Sequence, residues 1–360
     1  MLASSVWFLS LAATAVALLW GISIWNGTVK QLLLTTYYQE FEDGTPFLTS
    51  YTGFVPLDFP VAVLVAFFYY GTNGSHLGYQ HFLLDAYATL QAAFVWLYVE
   101  ACRPNISKAG LVGRPIVWGL MWQAVGGAIA WPLYFFVHLL WTESQPHQIQ
   151  LQPVSLPAAR ALPLSFLTGA ILPAVIGMLP TWTGATTTRS PRAHQFILAA
   201  WQLDPIWVSI LHATLTMLFS SRPCSSERVG HLYVLARMML SENNEVLSFA
   251  RMYVPHLAGP GDYTTNQLQL ARGPWLFLQY DFIIYSLASL SWVLILLSRM
   301  EQPAVSWLGR TKLVLLMALG SIGFGPGTVV SLALWWREGT MAQLRDRRSL
   351  GYRGSKLSSD

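Results

Sequence analysis

Blocks of mostly apolar residues, separated by short polar stretches, recur at 7–25, 57–71, 80–101, 115–141, 160–181, 194–220, 273–298 and 312–336. A helix needs about 20 apolar residues to cross a hydrocarbon core about 30 Å thick. Backbone groups in lipid must be satisfied within the segment, so each block is expected to be helical. The pattern predicts an all-α, polytopic membrane helix bundle, one domain over residues 1–360, with about eight transmembrane helices. The count falls to seven if 57–71 is too short to cross, or if Asp85 keeps 80–101 from crossing. The first block has no positive residue before it and runs from Trp7 to Trp25. That is long for the apolar core of a cleaved leader, so it is read as a retained span. One long interval stands out. Residues 221–272 contain "HLYVLARMMLSENNEVLSFARMYV", with apolar residues at helical spacing and charges between them. This predicts an amphipathic loop on the membrane surface, or a cap over a cavity that opens to lipid.

Composition agrees with the pattern. Charged residues make up 11% of the chain and hydrophobic residues 54%, whereas soluble domains carry about 25% charge. The net charge of +4 is concentrated late, with six of the 21 basic residues after Trp336. A basic tail over 338–360 beside so much apolar sequence marks the cytoplasmic side. It does not point to nucleic acid. An even span count then puts "QEFEDG" (39–44) and the sequons at Asn26 and Asn105 on the lumenal side. Two cysteines cannot form a disulfide framework, and no Cys/His spacing marks a zinc site.

Ionisable residues inside the apolar blocks are the candidates for chemistry, because charge at membrane depth is costly. Five carboxylates qualify: Asp58, Asp85, Glu100, Asp204 and Asp281. Asp58, in "VPLDFP", reads either as a helix-start residue with Pro60 in the first turn or as a mouth residue. Glu100 reads as an interfacial partner of Arg103 at i+3 or as a second acid at that same mouth, since antiparallel neighbours bring the two ends together. Asp85 pairs locally with His81. Asp204 and Asp281 fall roughly 12–15 Å deep by helix rise. Trp201 and Trp207 flank Asp204, and Phe277 and Tyr285 flank Asp281, at helical spacing. A buried carboxyl keeps its proton, because burial disfavours the charged form, and a neutral carboxyl can act as a general acid. Nearby rings can stabilise a cation formed by that proton. The other reading of each is a structural hydrogen bond between helices. In Asp204's case it would accept a donor freed by Pro205.

There is no aspartate-rich pair of motifs for magnesium and a diphosphate, no H-E-x-x-H, no P-loop and no dinucleotide fingerprint. No metal or cofactor is therefore expected. The glycines in "LGSIGFGPGTVVSL" sit with Pro326 inside the last block and predict close packing and a kink.

Four stretches, "PLDFPVAVLVAFFYYGTNGS" (56–75), "LYVEACR" (97–103), "QYDFIIYSLASLSWVL" (279–294) and "GFGPGTVVSLALWWRE" (323–338), occur in an order and spacing that resemble a known family. The family is the fungal integral-membrane terpene cyclases of meroterpenoid pathways, of the longer type found in ascochlorin, ascofuranone and macrophorin biosynthesis. The resemblance covers nearly the whole chain. It implies protonation of an epoxide or terminal olefin on a prenylated aromatic compound, followed by a carbocation cascade that closes rings. It implies that Asp58, Glu100 and Asp281 occupy the family's acidic positions, and it does not extend clearly to Asp204. Asn73 departs from an acid expected in the "GTNGS" stretch.

The combined expectation is a membrane enzyme, in the endoplasmic reticulum, that acts on a hydrophobic farnesylated aromatic molecule. Asp281 leads as the acid, followed by Glu100, Asp58 and Asp204. Trp201, Trp207, Phe277, Tyr280 and Tyr285 would line its cavity. Two rivals use the same features: a sterol or lipid double-bond isomerase, and a proton-coupled transporter or lipid-binding membrane protein. The transporter would be expected to show repeated halves, which this chain lacks.

Overall fold

The computed structural model describes residues 2–103, 110–144, 154–182, 189–219, 249–257, 269–300 and 307–357. Among these residues the protein is helical with no strand; a lone antiparallel bridge joins Glu40 to Pro46. Five helices are long and apolar enough to cross a membrane: α1 (Ala3–Trp25), α3 (Val55–Thr72), α4 (Leu77–Ala101), α7 (Leu156–Met178) and α11 (Gln269–Ser298). Helices α8 (Pro191–Trp201) and α9 (Asp204–Leu218) are together long and apolar enough for a further crossing, but they are bent by 53° at their junction, the geometry of a broken span or a re-entrant loop. Helix α2 (Thr28–Tyr38) follows the first span. The remaining predicted spans are broken helices. Residues 115–141 divide into α5 (Pro115–Val125) and α6 (Gly127–Ser144). The last block divides into α12 (Trp307–Phe324) and α13 (Pro326–Leu357), with Gly325 at φ +80° between them. The kink expected at Pro326 is thus a full break.

The break at Gly126 has a clear cause. Its φ of 102° and ψ of 150° lie in a region open almost only to glycine. There is also no room for a side chain. A Cβ there would lie 2.8 Å from Leu19 Cδ2 and 3.0 Å from Asp281 Oδ1. The backbone groups freed by the break find side-chain partners: Trp20 Nε1 donates to the Val125 carbonyl at 2.9 Å, and the Ala128 amide donates to Asp281 Oδ1 at 2.6 Å. Helix α8 begins conventionally, with Ser190 Oγ accepting from the Ala193 amide and Pro191 in the first turn.

Helix α6 packs lengthwise against α1 and α11, while α9 packs on α7. Two buried clusters result. One joins α1, α5, α6 and the later halves of α4 and α11; the other joins α3, α8, the early halves of α4 and α11, and the 41–47 loop. Phe282 packs against both. Apolar residues left facing outward, such as Leu167, Ile171 and Leu172 on α7 and Leu315, Leu316 and Leu319 on α12, give the bundle a surface suited to lipid.

Three sequence expectations meet the structure here. The acidic 39–44 loop folds inward at Phe41, which is 3% exposed and stacks on Tyr69. Asn26 is buried, and its Oδ1 accepts from the amide and hydroxyl of Thr28; that sequon serves as a turn. Asn105 lies outside the described residues. Most of the 221–272 loop also lies outside them, but its short helix α10 (Phe249–Tyr253) packs into the bundle, with Met252 fully buried.

Candidate active site

Asp281 lies on α11 at the mouth of the α5–α6 break, 4% exposed. Its Oδ1 accepts from the Ala128 amide in the first turn of α6, and Gly127 lies close beside its Oδ2. No cation pairs with it among the described residues. Helix spacing put Phe277 and Tyr285 beside this acid, and the structure agrees. A Cβ on Gly126 would touch both Asp281 and Phe277, and one on Gly127 would touch both Asp281 and Tyr285. Tyr285 donates its hydroxyl to the Ala86 carbonyl at 2.8 Å. Phe277 meets Trp20 and Phe67 edge-on. Tyr280 is half-buried on the same helix.

Asp204 opens α9 just after the second break and is fully buried. Three neutral side chains donate to it: Tyr87 to Oδ2 at 2.9 Å, Gln91 to Oδ2 at 2.7 Å and Gln123 to Oδ1 at 3.2 Å. Gln123 also donates to the Gln202 carbonyl, which the break leaves free, at 3.1 Å. Here too no cation is paired among the described residues. Gln123 is three residues before Gly126, about 4.5 Å along the helix, so α5 passes both acids. Helix α4 does so as well. Tyr87 and Gln91 face Asp204, while Ala86 and Leu90 meet Tyr285 and Gly127. Trp201 is buried and meets Tyr87 edge-on at 5.1 Å. Trp207 shares α9 with Asp204 at i+3 but faces outward, 39% exposed, and donates across the bend to the Ala200 carbonyl.

Glu100 has a different environment. Arg103 binds it through two nitrogens at 2.8 and 3.0 Å, and Arg337 of α13 binds it at 2.9 Å. Arg103 also pairs with Glu338. His138 completes the set. Its Nδ1 lies 3.2 Å from Trp292 Nε1, and an indole N–H only donates. Nδ1 therefore carries the lone pair, and a neutral His138 donates through Nε2 to Glu100 Oε2 at 3.4 Å. Both Glu100 oxygens are filled by donors, two of them guanidinium groups. The Arg103 partner expected from i+3 spacing is present, within a wider network.

Asp58 gathers the preceding loop. Its oxygens accept from the Thr52 amide and hydroxyl, both at 2.8 Å, the Gly53 amide at 2.9 Å and the Ser50 hydroxyl at 3.1 Å. It borders a groove of about 650 Å³ whose apolar wall includes Leu33, Leu34, Tyr37, Val55 and Phe59. Among the described residues, Asp58 and Glu100 share no hydrogen-bonding partner. Asp85 accepts from Tyr253 of α10 at 2.7 Å.

The CtvD domain matches this chain over residues 3–239 and 228–342. The chain belongs to the CtvD-domain family. Among curated relatives it is 26% identical to terpene cyclase DEP1 of Fusarium langsethiae, over 92% of this chain and 97% of that one. It is 26% identical to terpene cyclase ctvD of Aspergillus terreus, over 92% and 98%. The same identity links it to terpene cyclase ascI of Acremonium egyptiacum, over 94% and 92%. No solved structure matches the chain.

In this CtvD-domain chain the matched residues include all five buried acids and both arginines of the Glu100 network. Sequence reading passed over Tyr87, Gln91, Gln123, His138 and Arg337. A usable signal existed for two of them: Tyr87 and Gln91 are polar residues four apart in an apolar span, on one helical face. Gln123 and Arg337 act across the bundle, and one-dimensional spacing does not reveal such partners.

Proposed function

We propose that the protein is a membrane terpene cyclase that initiates ring closure by protonating a farnesylated aromatic substrate. Asp281 is the acid. The observation that supports this most directly is its setting: a buried carboxyl with no countercharge among the described residues, held at a helix N-terminus between aromatic rings. With its proton, such a group is neutral and stable in apolar surroundings. Once the proton has left, the α6 amides and the helix dipole stabilise the carboxylate.

The reaction starts when the Asp281 proton moves to an epoxide oxygen or a terminal olefin carbon. With an epoxide, one C–O bond breaks to give an alcohol and a tertiary cation. With an olefin, the π pair forms the new C–H bond and leaves the cation on the neighbouring carbon. The next double bond supplies its π electrons to form a C–C bond, and the charge moves along the chain. The rings of Phe277 and Tyr285 flank its starting point. The cascade ends when a carbon next to the last cation loses a proton or a substrate oxygen captures it. Names of the relatives support the cyclase class. Glu100 is assigned a positioning role, because its oxygens are already occupied. We place the enzyme in the endoplasmic reticulum, on the strength of its multi-span pattern.

The test is turnover of farnesylated phenols and their terminal epoxides by protein reconstituted in nanodiscs. The expected product is isomeric with the substrate and has fewer sp² carbons by NMR. An isomer that keeps its full set of alkene carbons would refute the cyclase reading. Full activity in Asp281→Asn would refute the assignment of the acid.

A further inference from the structure

We propose that the polar cluster around Asp204 is a binding subsite for a hydroxyl group, and that the hydroxyl is the phenol of the substrate's aromatic head. This rests on the cyclase reading above. Three polar side chains converge on Asp204 within apolar spans, Tyr87, Gln91 and Gln123, and Gln202 adjoins them through its backbone carbonyl. Most of their hydrogen bonds close on Asp204 or on the free Gln202 carbonyl. Two atoms do not close. Gln91 Oε1 and Gln202 Nε2 are shielded from solvent and have no hydrogen-bond partner, on residues only 5% and 4% exposed. Leaving a buried donor or acceptor unpaired costs about 1–3 kcal/mol, and this cluster carries one of each. The pair is chemically specific. Gln91 Oε1 requires a donor, and Gln202 Nε2 requires an acceptor; a hydroxyl is both.

The surroundings fit an aromatic head. Trp201 meets Tyr87 edge-on at 5.1 Å and Phe68 at 5.5 Å, so a ring wall stands beside the polar groups. The position fits as well. Helices α4 and α5 both run from this cluster to Asp281, so a molecule whose phenol is held at Asp204 can reach Asp281 with its isoprenoid tail.

The experiment uses wild-type protein in nanodiscs and three probes: a farnesylated phenol, its O-methyl ether and its deoxy analogue. Their binding is measured by competition against the tritiated phenol, and turnover is measured in parallel. The phenol offers a donor and an acceptor, the ether only an acceptor, and the deoxy analogue neither. Affinity should fall stepwise, by about tenfold from phenol to deoxy analogue. Gln202→Leu should close the gap between ether and deoxy analogue, and Gln91→Met the gap between phenol and ether. Equal binding of all three probes to the wild type overturns the proposal and assigns the two orphan atoms to a resident water. Unchanged discrimination in both variants overturns it too. The wild-type comparison needs no variant to fold. Binding without any cyclised product would instead refute the reaction proposed above and leave the subsite standing on its own result.

Discussion

Asp281→Asn separates two roles that one residue fills. The carboxylate caps α6 through the Ala128 amide at 2.6 Å, and in the proposed reaction it also delivers the proton. Asparagine keeps an oxygen in the same place and is as good a helix cap as aspartate. What it loses structurally is the attraction between charge and helix dipole, about 0.3–1 kcal/mol, and less when the carboxyl is protonated. The stability of Asp281→Asn should therefore fall by less than about 1 kcal/mol. Its turnover should fall by about 10²–10⁴-fold, the usual contribution of a positioned general acid. Asp281→Leu removes both roles. It leaves the Ala128 amide buried without a partner, which adds about 1–3 kcal/mol. Product formation is followed by chromatography and mass spectrometry, and stability by thermal unfolding in the same nanodiscs. Turnover of the asparagine variant within an order of magnitude of the parent would place the acid elsewhere. If the asparagine and leucine variants were equally unstable, the capping argument would fail.

Glu100→Gln should destabilise the protein by about 3–5 kcal/mol, because two buried guanidinium groups lose their shared countercharge; adding Arg337→Gln should recover part of that loss in the same unfolding assay. Gly126→Ala forces an L side chain into a backbone conformation costing about 1–3 kcal/mol and against Asp281, so both melting temperature and turnover should drop. Unaltered turnover would show that the break does not set the position of the acid. Trp201→Leu should lower turnover more than Trp207→Leu, since only Trp201 faces the Asp204 cluster; the reverse order in a rate comparison would contradict the structure.

Much of the architecture was legible because lipid imposes a simple pattern. The apolar runs at 7–25, 80–101 and 273–298 became the unbroken helices Ala3–Trp25, Leu77–Ala101 and Gln269–Ser298. The breaks at Gly126 and at 202–203 were not legible from hydropathy, because the sequence stays apolar across them. The clues lay in residue type: Gly126-Gly127 within one run and Asp204-Pro205 within another. Asp281 was placed correctly between Phe277 and Tyr285 because α11 is continuous, so period-3.6 reasoning holds along it. It failed for Trp207, which keeps i+3 spacing to Asp204 within α9 but turns its ring outward to donate to the Ala200 carbonyl across the 53° bend. Glu100 read as an interfacial pair with Arg103, which it is, but the sequence did not reveal that Arg337 and His138 close the network from other helices.

Glu100 on one side, and Asp204 and Asp281 on the other, are buried in two different ways, and the difference bears on mechanism. At the Glu100 end, Glu100 and Glu338 are matched by Arg103 and Arg337, two negative groups against two positive. Matched charges in a low dielectric are held in place, and moving a proton there would strand a cation. Deeper in the bundle, Asp204 and Asp281 have no such match among the described residues. Each instead stands at a helix break, where amides and neutral side chains converge. A carboxyl in that setting can be neutral at little cost, and its anion meets dipoles fixed before the reaction begins. The breaks themselves are costly in lipid, because they free backbone groups that water cannot reach. Trp20, Gln123 and the two aspartates meet those groups. The same contacts that make a broken helix tolerable therefore hold each acid in position, so a substitution that straightens the Gly126 break should displace Asp281 and lower turnover even with its carboxyl chemically intact.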